Sequence, residues 1–213
     1  ISYYKNGLLN TSQEAKIYLE QIRNISSITV SATPLTGLTS EEISKLRSGE
    51  KNDFAKLKQH LQKAKTITRS KEFDKHEAYE FFNDSLSLGT LPLGTYLIDA
   101  TCDGTNISSK NEFQFLIVSD LKVITLQQSK TQKRYVVVNA ISGKPVAGAK
   151  LHLTGRKEYE NKRVVSTDEK GEYICEFTIE NEPRYVFATT DKDQAMQTQF
   201  LYTSFPNYQK DNK

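Results

Sequence analysis

Short segments in which apolar and polar residues alternate, separated by turn sequences, run through most of this chain. A period of two places every second side chain on one face of a strand, as in a sheet buried on one side. Glycine, proline, asparagine and aspartate cluster between the segments, as in Asp168–Gly171, and these residues favour turns. Such short, regularly spaced strands predict antiparallel β-sandwiches of the Ig-like type. The candidate strands are Lys16–Ile22, Ser27–Leu35, Thr66–Asp74, Ala78–Leu88, Gly94–Cys102, Asn111–Val118, Lys122–Gln128, Arg134–Asn139, Ala149–Gly155, Arg163–Asp168, Glu172–Ile179, Arg184–Asp191 and Ala195–Tyr202.

The number of candidate strands calls for two sandwich domains in tandem. A sandwich of about seven strands takes roughly 100 residues, and this chain has 213 residues. One series of strands ends and another begins at Ser119–Leu121. We therefore expect a first domain over residues 1–119 and a second over residues 120–205, followed by a linker or tail at 206–213.

The strand pattern is interrupted at about residues 40–64, where the sequence predicts a helical insertion in the first domain. Thr39 followed by Glu42 is a plausible capping box for the start of a helix. Farther along, apolar residues recur at helical spacing and form one stripe: Phe54, Leu57, Leu61 and Ala64. We expect this stripe to pack onto the neighbouring sandwich. The alternative is a basic amphipathic helix that lies on a membrane or fills the groove of a partner.

Composition excludes several classes of function. The net charge is +3, from 29 basic and 26 acidic residues that are interspersed, so nothing in the charge favours nucleic acid as a partner. The longest apolar runs, Phe115–Val118 and Tyr135–Val138, are far shorter than the roughly 20 residues that span a bilayer. We therefore expect no membrane insertion by this chain.

Few residues are suited to catalysis or metal binding. The 3 histidines, His60, His76 and His152, lack ligand-like spacing, and the 2 cysteines, Cys102 and Cys175, are too few for a disulfide framework or cysteine-rich metal site. An acidic cluster for Ca²⁺ is conceivable among the residues Asp99, Asp103 and Glu112, but the spacing of a calcium-binding loop is missing. The sequence predicts no catalytic residues, no cofactor-binding residues, no metal site and no cofactor.

Motifs in both halves are similar to those of one known family. In the first half the resemblance is carried by Ile22–Ile25 (IRNI) and by Leu88–Ile98 (LGTLPLGTYLI). Both resemble elements of the macroglobulin-like domains near the N-terminus of bacterial α-2-macroglobulins. In the second half it is carried by Val137–Ala149 (VVNAISGKPVAGA) and Ser166–Tyr173 (STDEKGEY). This second pair resembles a signature shared by macroglobulin-like domains, including MG2 domains, by carboxypeptidase-regulatory-like domains and by several surface sandwich repeats.

The resemblance implies a scaffold. In that family a string of such sandwiches carries a bait segment, and cleavage of the bait leads to trapping of the protease. Many members add a thioester at a Cys-x-Glu-Gln motif, which neither Cys102–Gly104 nor Cys175–Phe177 matches. We therefore expect a non-catalytic chain with two macroglobulin-like domains, the second of the carboxypeptidase-regulatory-like kind.

The first residue is Ile1, and we expect this chain to be an N-terminal piece of a longer, exported protein of the cell envelope, either periplasmic or anchored in the outer membrane. Its expected partners are the remaining domains of the parent chain and, through the intact protein, proteases. The alternative function is a surface adhesin or outer-membrane binding module built of Ig-like sandwiches. No enzymatic activity is expected in either case.

Overall fold

The described part of the chain consists mainly of β-strands, which confirms the predicted fold class of Ig-like, macroglobulin-like β-sandwiches. The structure is a computed structural model, and it describes residues 8–36, 59–60, 62–74, 80–104, 114–155 and 163–194. It divides into two compact units, Ile1–Asp120 and Leu121–Lys213. The predicted last strand and the predicted tail lie outside the described residues, as does most of the predicted helical insertion. Among the residues that the structure describes, no helix has the length and apolar character needed to cross a bilayer.

Unit 1 is a sandwich of a five-stranded sheet and a two-stranded sheet. The larger sheet has the order β1-β7-β6-β3-β4 and the smaller sheet pairs β2 with β5. The strands are β1 (Leu8–Leu9), β2 (Glu14–Ile22), β3 (Ile25–Pro34), β4 (Ile67–Glu72), β5 (Phe82–Thr90), β6 (Gly94–Gly104) and β7 (Gln114–Val118).

Alternation along the strands builds the core of unit 1. In β2, Ala15, Ile17 and Leu19 are buried while the residues between them are exposed. They pack against every second residue of the facing sheet, including Val30 of β3 and Ile98 of β6. Because removal of apolar surface from water is the main favourable contribution to folding, this interlayer contact holds the sandwich together.

The two ends of unit 1 are joined to each other. Strand β1, which the sequence analysis missed, pairs in parallel with β7; two residues are too short to show any periodicity. Ser119 N donates to Leu9 O over 2.8 Å. The carboxylate of Asp120 accepts hydrogen bonds from Thr11 N at 2.8 Å and from Thr11 Oγ1 at 2.9 and 2.8 Å.

One strand of unit 1 begins later than its sequence indicates. Ala78–Leu88 is a candidate strand, but Glu80 and Phe81 are not in strand conformation and β5 begins at Phe82. The ring of Phe81 is exposed and lies 4.9 Å from the guanidinium of Arg23. This cation–π contact accounts for an aromatic residue that alternation alone assigns to a strand.

Unit 2 contains two three-stranded sheets, with the orders β12-β9-β8 and β11-β10-β13. Buried residues from both sheets form its core, among them Tyr135, Val137, Leu151 and Cys175. The elements are β8 (Leu121–Ser129), β9 (Gln132–Asn139), β10 (Lys150–Thr154), β11 (Arg163–Ser166), β12 (Glu172–Glu176), a 3₁₀ helix (Ile179–Asn181) and β13 (Tyr185–Thr189).

The predicted strand Glu172–Ile179 is too long, because β12 ends at Glu176 and Ile179 starts the 3₁₀ helix. Asn181 folds this segment back: its Oδ1 accepts from Thr178 N at 2.6 Å, and its own N donates to Thr178 O at 3.2 Å. The side chain of Ile179 is 89% exposed. Ile179 is therefore not part of the core, although the apolar pattern of the sequence suggests that its side chain is buried.

Gly171 lies where three backbone segments of unit 2 meet. As the sequence predicts, Asp168 closes the turn, since its Oδ1 accepts from the backbone N of Lys170 at 2.9 Å, and Gly171 has a φ of +73°. Its carbonyl oxygen accepts a hydrogen bond from Val137 N over 2.8 Å. A Cβ on Gly171 would lie 2.8 Å from Val137 O and 2.9 Å from Val146 N. Only glycine fits here.

The buried side chain of Thr167 also connects the backbone segments around Gly171. Its Oγ1 donates to Val146 O at 2.8 Å and accepts from Ala149 N at 3.0 Å. Backbone bonds run from Thr167 N to Ala149 O, 3.0 Å, and from Gly148 N to Thr167 O, 3.1 Å. The two sequence motifs of the second half, Val137–Ala149 and Ser166–Tyr173, are thus one hydrogen-bonded corner, which we call the Gly171 corner.

We expect Gly171→Ala to destabilise unit 2 more than Gly143→Ala does. Both glycines have a positive φ, +73° and +70°, but a Cβ at Gly143 meets no atom within 4 Å. The left-handed conformation costs an alanine about 1–2 kcal/mol, and overpacking at Gly171 adds about 1–3 kcal/mol. Urea unfolding of the two variants measures the difference. Equal losses of unfolding free energy in the two variants would show that the backbone around Gly171 can move to accommodate a Cβ without a further loss of stability.

Candidate functional site

The histidines that the sequence offers for catalysis are not brought together. His60 belongs to unit 1, where its Nε2 lies 3.1 Å from Pro34 O. His152 belongs to β10 of unit 2, and His76 lies outside the described residues. The two that are described belong to different units, and each has a structural partner within its own unit.

His152 is the strongest single candidate for a general base, and its surroundings argue against that role. Its Nε2 lies 3.0 Å from Thr189 Oγ1, a spacing that a nucleophile–base pair also shows. However, Thr189 is fully buried, and the imidazole stacks on the ring of Phe187 at 4.2 Å between centroids. Burial, and then the charge of Lys150, lower the pKa of His152. The contact therefore packs β10 against β13, and its hydroxyl partner is buried.

The two cysteines are free thiols in separate units. Cys102, on β6, is half-buried, and burial raises the pKa of its thiol, with a further contribution from Asp103. Such a thiol is protonated at neutral pH and is a poor nucleophile. Cys175 is fully buried in the core of unit 2, where Arg163 Nη2 lies 3.2 Å from its Sγ. Both residues have the environment of a packed side chain.

The acidic residues considered as Ca²⁺ ligands, for which the sequence predicts no metal site, are only partly described. Asp99 Oδ1 accepts from Ala100 N at 2.9 Å, and Asp103 Oδ2 accepts from Ser27 Oγ at 3.1 Å. Glu112 lies outside the described residues. No group of three or more histidine, cysteine, aspartate or glutamate side chains within the described ranges is placed to hold a metal ion. The prediction that this chain holds no catalytic, cofactor or metal site stays a prediction.

A charged cluster that the sequence analysis did not identify lies at one end of unit 2. Lys133 Nζ donates to Glu182 Oε1 at 2.7 Å and to Pro183 O at 3.0 Å. Its ammonium also lies 5.2 Å from the ring centroid of Phe177. The hydrogen bond from Lys133, and then the charges of Lys133 and Arg184, lower the pKa of Glu182. The pairing of β9 with β12 brings Lys133 close to the residues that follow β12. These residues are far from Lys133 in the sequence, so no local spacing predicts the cluster.

Next to this cluster is an open groove of about 530 Å³. Apart from Phe177, its lining residues have polar side chains, and Glu176 is the single ionisable group among them. General acid–base catalysis commonly uses two groups with different pKa values, and the lining provides one. The groove residues are Ser129, Thr131, Gln132, Glu176, Phe177, Thr178 and Asn181.

The outer face of the sheet β12-β9-β8 is the best candidate for a functional surface in unit 2. Ile124 and Leu126 of β8 and Ile174 of β12 are 39%, 45% and 52% exposed. The strand register aligns Leu126 and Ile174 on either side of Arg134, which forms a salt bridge with Glu172. Apolar side chains around a paired charge suit contact with another protein surface. We call Ile124, Leu126, Arg134, Glu172 and Ile174 the outer face of unit 2.

No family model matches this chain, and no curated protein matches it significantly. Solved structures that share its fold include two fragments of one protein. Native alpha-2-macroglobulin from Escherichia coli spanning domains MG0-NIE-MG1 aligns with a TM-score of 0.58 and 15% identity, over 85% of this chain and 56% of that chain. A fragment of the same protein spanning NIE-MG1 aligns with a TM-score of 0.52 and 16% identity, over 84% and 85%.

The chain therefore spans about half of the longer fragment, at 56% of its length. At 15–16% identity the likeness shows the fold alone. The α-2-macroglobulin-like fold that the motifs predict is thus confirmed, while membership of the family is not established by it.

Replacement of His152 tests its structural role. The pKa of His152 is lowered by folding, so the unfolded chain binds the proton more tightly, and stability decreases as the pH falls through the unfolded pKa of about 6.5. His152→Gln keeps a polar partner for Thr189 and removes the titration. We expect the loss in unfolding free energy between pH 7.5 and pH 5.5 to be smaller in the variant than in the wild type. Identical losses would mean that His152 titrates normally.

Proposed function

We propose that this chain is part of an α-2-macroglobulin-like protein, in which it acts as a non-catalytic scaffold for protease trapping. The observation that carries the proposal is the alignment of 85% of the chain with the domains of E. coli alpha-2-macroglobulin at a TM-score of 0.58. The second support is the Gly171 corner, which gives a structural reason for the motifs that resemble the same family.

The chemistry of the described residues supports a scaffold. Cys175 is buried, and His60, His152 and Cys102 are half-buried against residues of their own unit. Asp99 and Asp103 accept hydrogen bonds from Ala100 N and Ser27 Oγ. A trap needs domains that keep their shape while a bait segment elsewhere is cleaved. Two β-sandwiches with continuous cores meet that need.

The proposal also concerns partners and location. The remaining domains of the parent protein are the immediate partners, and proteases are the targets of the intact molecule. The cell envelope is the proposed location, because a protease trap is useful where foreign proteases arrive. These points rest on the likeness of fold and on the motifs.

A protease assay with the parent protein tests the function. A trapped protease keeps its active site but is shielded from large substrates. We therefore expect the parent protein to block trypsin cleavage of a large protein substrate by more than tenfold while cleavage of a small chromogenic peptide continues. We expect the 213-residue chain alone to block neither, because the bait and the rearranging domains are outside it.

Two results would contradict the proposal. One is full cleavage of the large substrate in the presence of excess parent protein. The other is potent inhibition by this chain alone, which would locate the inhibitory element in these residues. A surface adhesin, the alternative, would leave both substrates fully cleaved.

The outer face of unit 2 is the proposed contact with a neighbouring domain of the parent, since the longer E. coli fragment extends beyond the length that this chain matches. We expect Ile174→Lys to lower the melting temperature of the parent protein by several degrees, because a lysine would be buried at the contact. The isolated chain should change little, because Ile174 is exposed there.

Ile141→Lys is the matched control, since Ile141 is 51% exposed but lies in the turn after β9. It should leave both proteins unchanged. Equal effects of Ile174→Lys on the parent and on the isolated chain would show that the outer face of unit 2 makes no contact with another domain.

A further inference from the structure

One edge of unit 2 is formed by a long strand that has no described partner on one side. Strand β8 is 9 residues long and is the last strand of the sheet β12-β9-β8. It pairs antiparallel with β9, and no strand among the described residues pairs with its other side. Backbone N–H and C=O groups of alternate residues therefore point away from the sheet along this side. We call this side of Val123–Gln128 the β8 edge.

The second half of β8 is exposed on both of its faces. Ile124 and Leu126, on the outer face, are 39% and 45% exposed. Thr125 lies on the inner face, because its partner in β9 is Tyr135, which is fully buried in the core. Thr125 is nevertheless exposed, as is Gln127. The core of unit 2 therefore does not extend under Thr125, and this part of the strand is accessible.

Other edge strands of this chain have features that discourage the addition of a further strand. In unit 1, the edge strand β4 carries Lys71, which the register places opposite the buried Ile28 and therefore on the inner face. Lys71 Nζ donates to Asp84 Oδ1 of β5 over 2.7 Å, which fixes this charge. In unit 2, the edge strand β12 has only 5 residues and begins and ends with a glutamate, Glu172 and Glu176. Inward-pointing charges, charged side chains and short length all protect a sheet edge.

Strand β8 has none of these features along the β8 edge. The sequence of Val123–Gln128 is VITLQQ, which contains no charge, no proline and no glycine. Valine, isoleucine and threonine favour strands. The register with β9 is regular from Leu121 to Gln127, so no bulge twists this stretch away. A long, uncharged and regular edge is the kind of edge to which another strand adds.

We propose that the β8 edge pairs with the β8 edge of a second copy of this chain. The two strands run antiparallel about a two-fold axis at Thr125, so that two three-stranded sheets become one sheet of six strands. The main-chain groups of one edge bond to the same groups of the other, as in any isologous interface. This pairing goes beyond the proposed function and does not depend on it.

Charge and apolar contact select the position of the axis. With the axis at Thr125, Leu126 lies opposite Ile124 of the second copy. The two exposed apolar residues then become cross-strand neighbours, which stabilises a sheet, and Lys122 lies opposite a glutamine. An axis at Leu126 would instead place Lys122 opposite Lys130 of the second copy. Like charges that lie directly opposite each other are destabilising, so the axis at Thr125 is favoured.

The outer face of unit 2 stays accessible in such a pair. Strand addition uses main-chain groups that lie in the plane of the sheet, whereas the side chains of Arg134, Glu172 and Ile174 stand on its face. A contact made by one strand of each copy is small. We therefore expect a weak association that depends on the concentration of the chain.

Sedimentation velocity of the 213-residue chain tests the pairing. We expect the population to shift from monomer to dimer over about a hundredfold range of concentration. Thr125→Lys places two ammonium groups opposite each other at the axis, so we expect it to weaken dimerisation by at least about tenfold. Thr68→Lys, at an exposed threonine of the edge strand β4, is the matched control and should leave the dimer unchanged. Both threonines are exposed, so neither lysine should prevent folding.

Cross-linking tests the register. Residues directly opposite in an antiparallel pair have Cα atoms about 4.5–5.5 Å apart, a distance that a disulfide spans. We expect Thr125→Cys to give a disulfide-linked dimer when copper phenanthroline is the oxidant. Lys122→Cys should give none, because the two copies of residue 122 would be about 20 Å apart. The wild-type chain, with Cys102 and Cys175, sets the background.

Three results would overturn the proposal. The first is a wild-type chain that stays monomeric at every concentration. The second is a dimer that Thr125→Lys leaves intact, since another surface would then hold it together. The third is equal cross-linking of the cysteines at positions 122 and 125. None of these results bears on protease trapping by the parent protein.

Discussion

The approach of the Gly171 backbone to Val137 and Val146 is the constraint on which the connections of unit 2 depend. At this point a hairpin turn, a core strand and the return from a corner lie so close that a single Cβ would collide with two of them. Thr167 adds hydrogen bonds in both directions. The positions of glycine, threonine and aspartate in the two motifs follow from this geometry, so the motifs report architecture and carry no information about a reaction.

Local chemistry explains which elements could be predicted. The strands of both units are encoded by alternating apolar and polar residues, and the turn at Asp168 by residues that bond to backbone a few positions away. The predictions are wrong where the conformation of a residue depends on a partner that is distant in the sequence. Strand β1 exists because β7 is beside it, the ring of Phe81 is held by Arg23, and Ile179 is turned outward by Asn181. The cluster around Lys133 depends on pairing that no single-sequence pattern contains.

Function is harder to predict from this sequence than fold, because it depends on which distant side chains the fold brings together. Histidine, cysteine and carboxylate groups are dispersed over both units, and the described histidines and cysteines contact structural residues of their own unit. Catalysis needs such groups to converge in a cleft, whereas support between domains needs broad surfaces and rigid layers. The outer face of unit 2, with its exposed apolar residues around a salt bridge, is a feature of the second kind.

The closure of unit 1 by its own ends has a consequence for how the chain acquires its structure during synthesis. Thr11 and Asp120 are 109 positions apart, and β1 can pair only after β7 has been made. Leu8–Leu9 must therefore stay unpaired with β7 until Gln114–Val118 has left the ribosome. Contacts of such long range form slowly, so β1 is among the last of the described strands of this unit to pair.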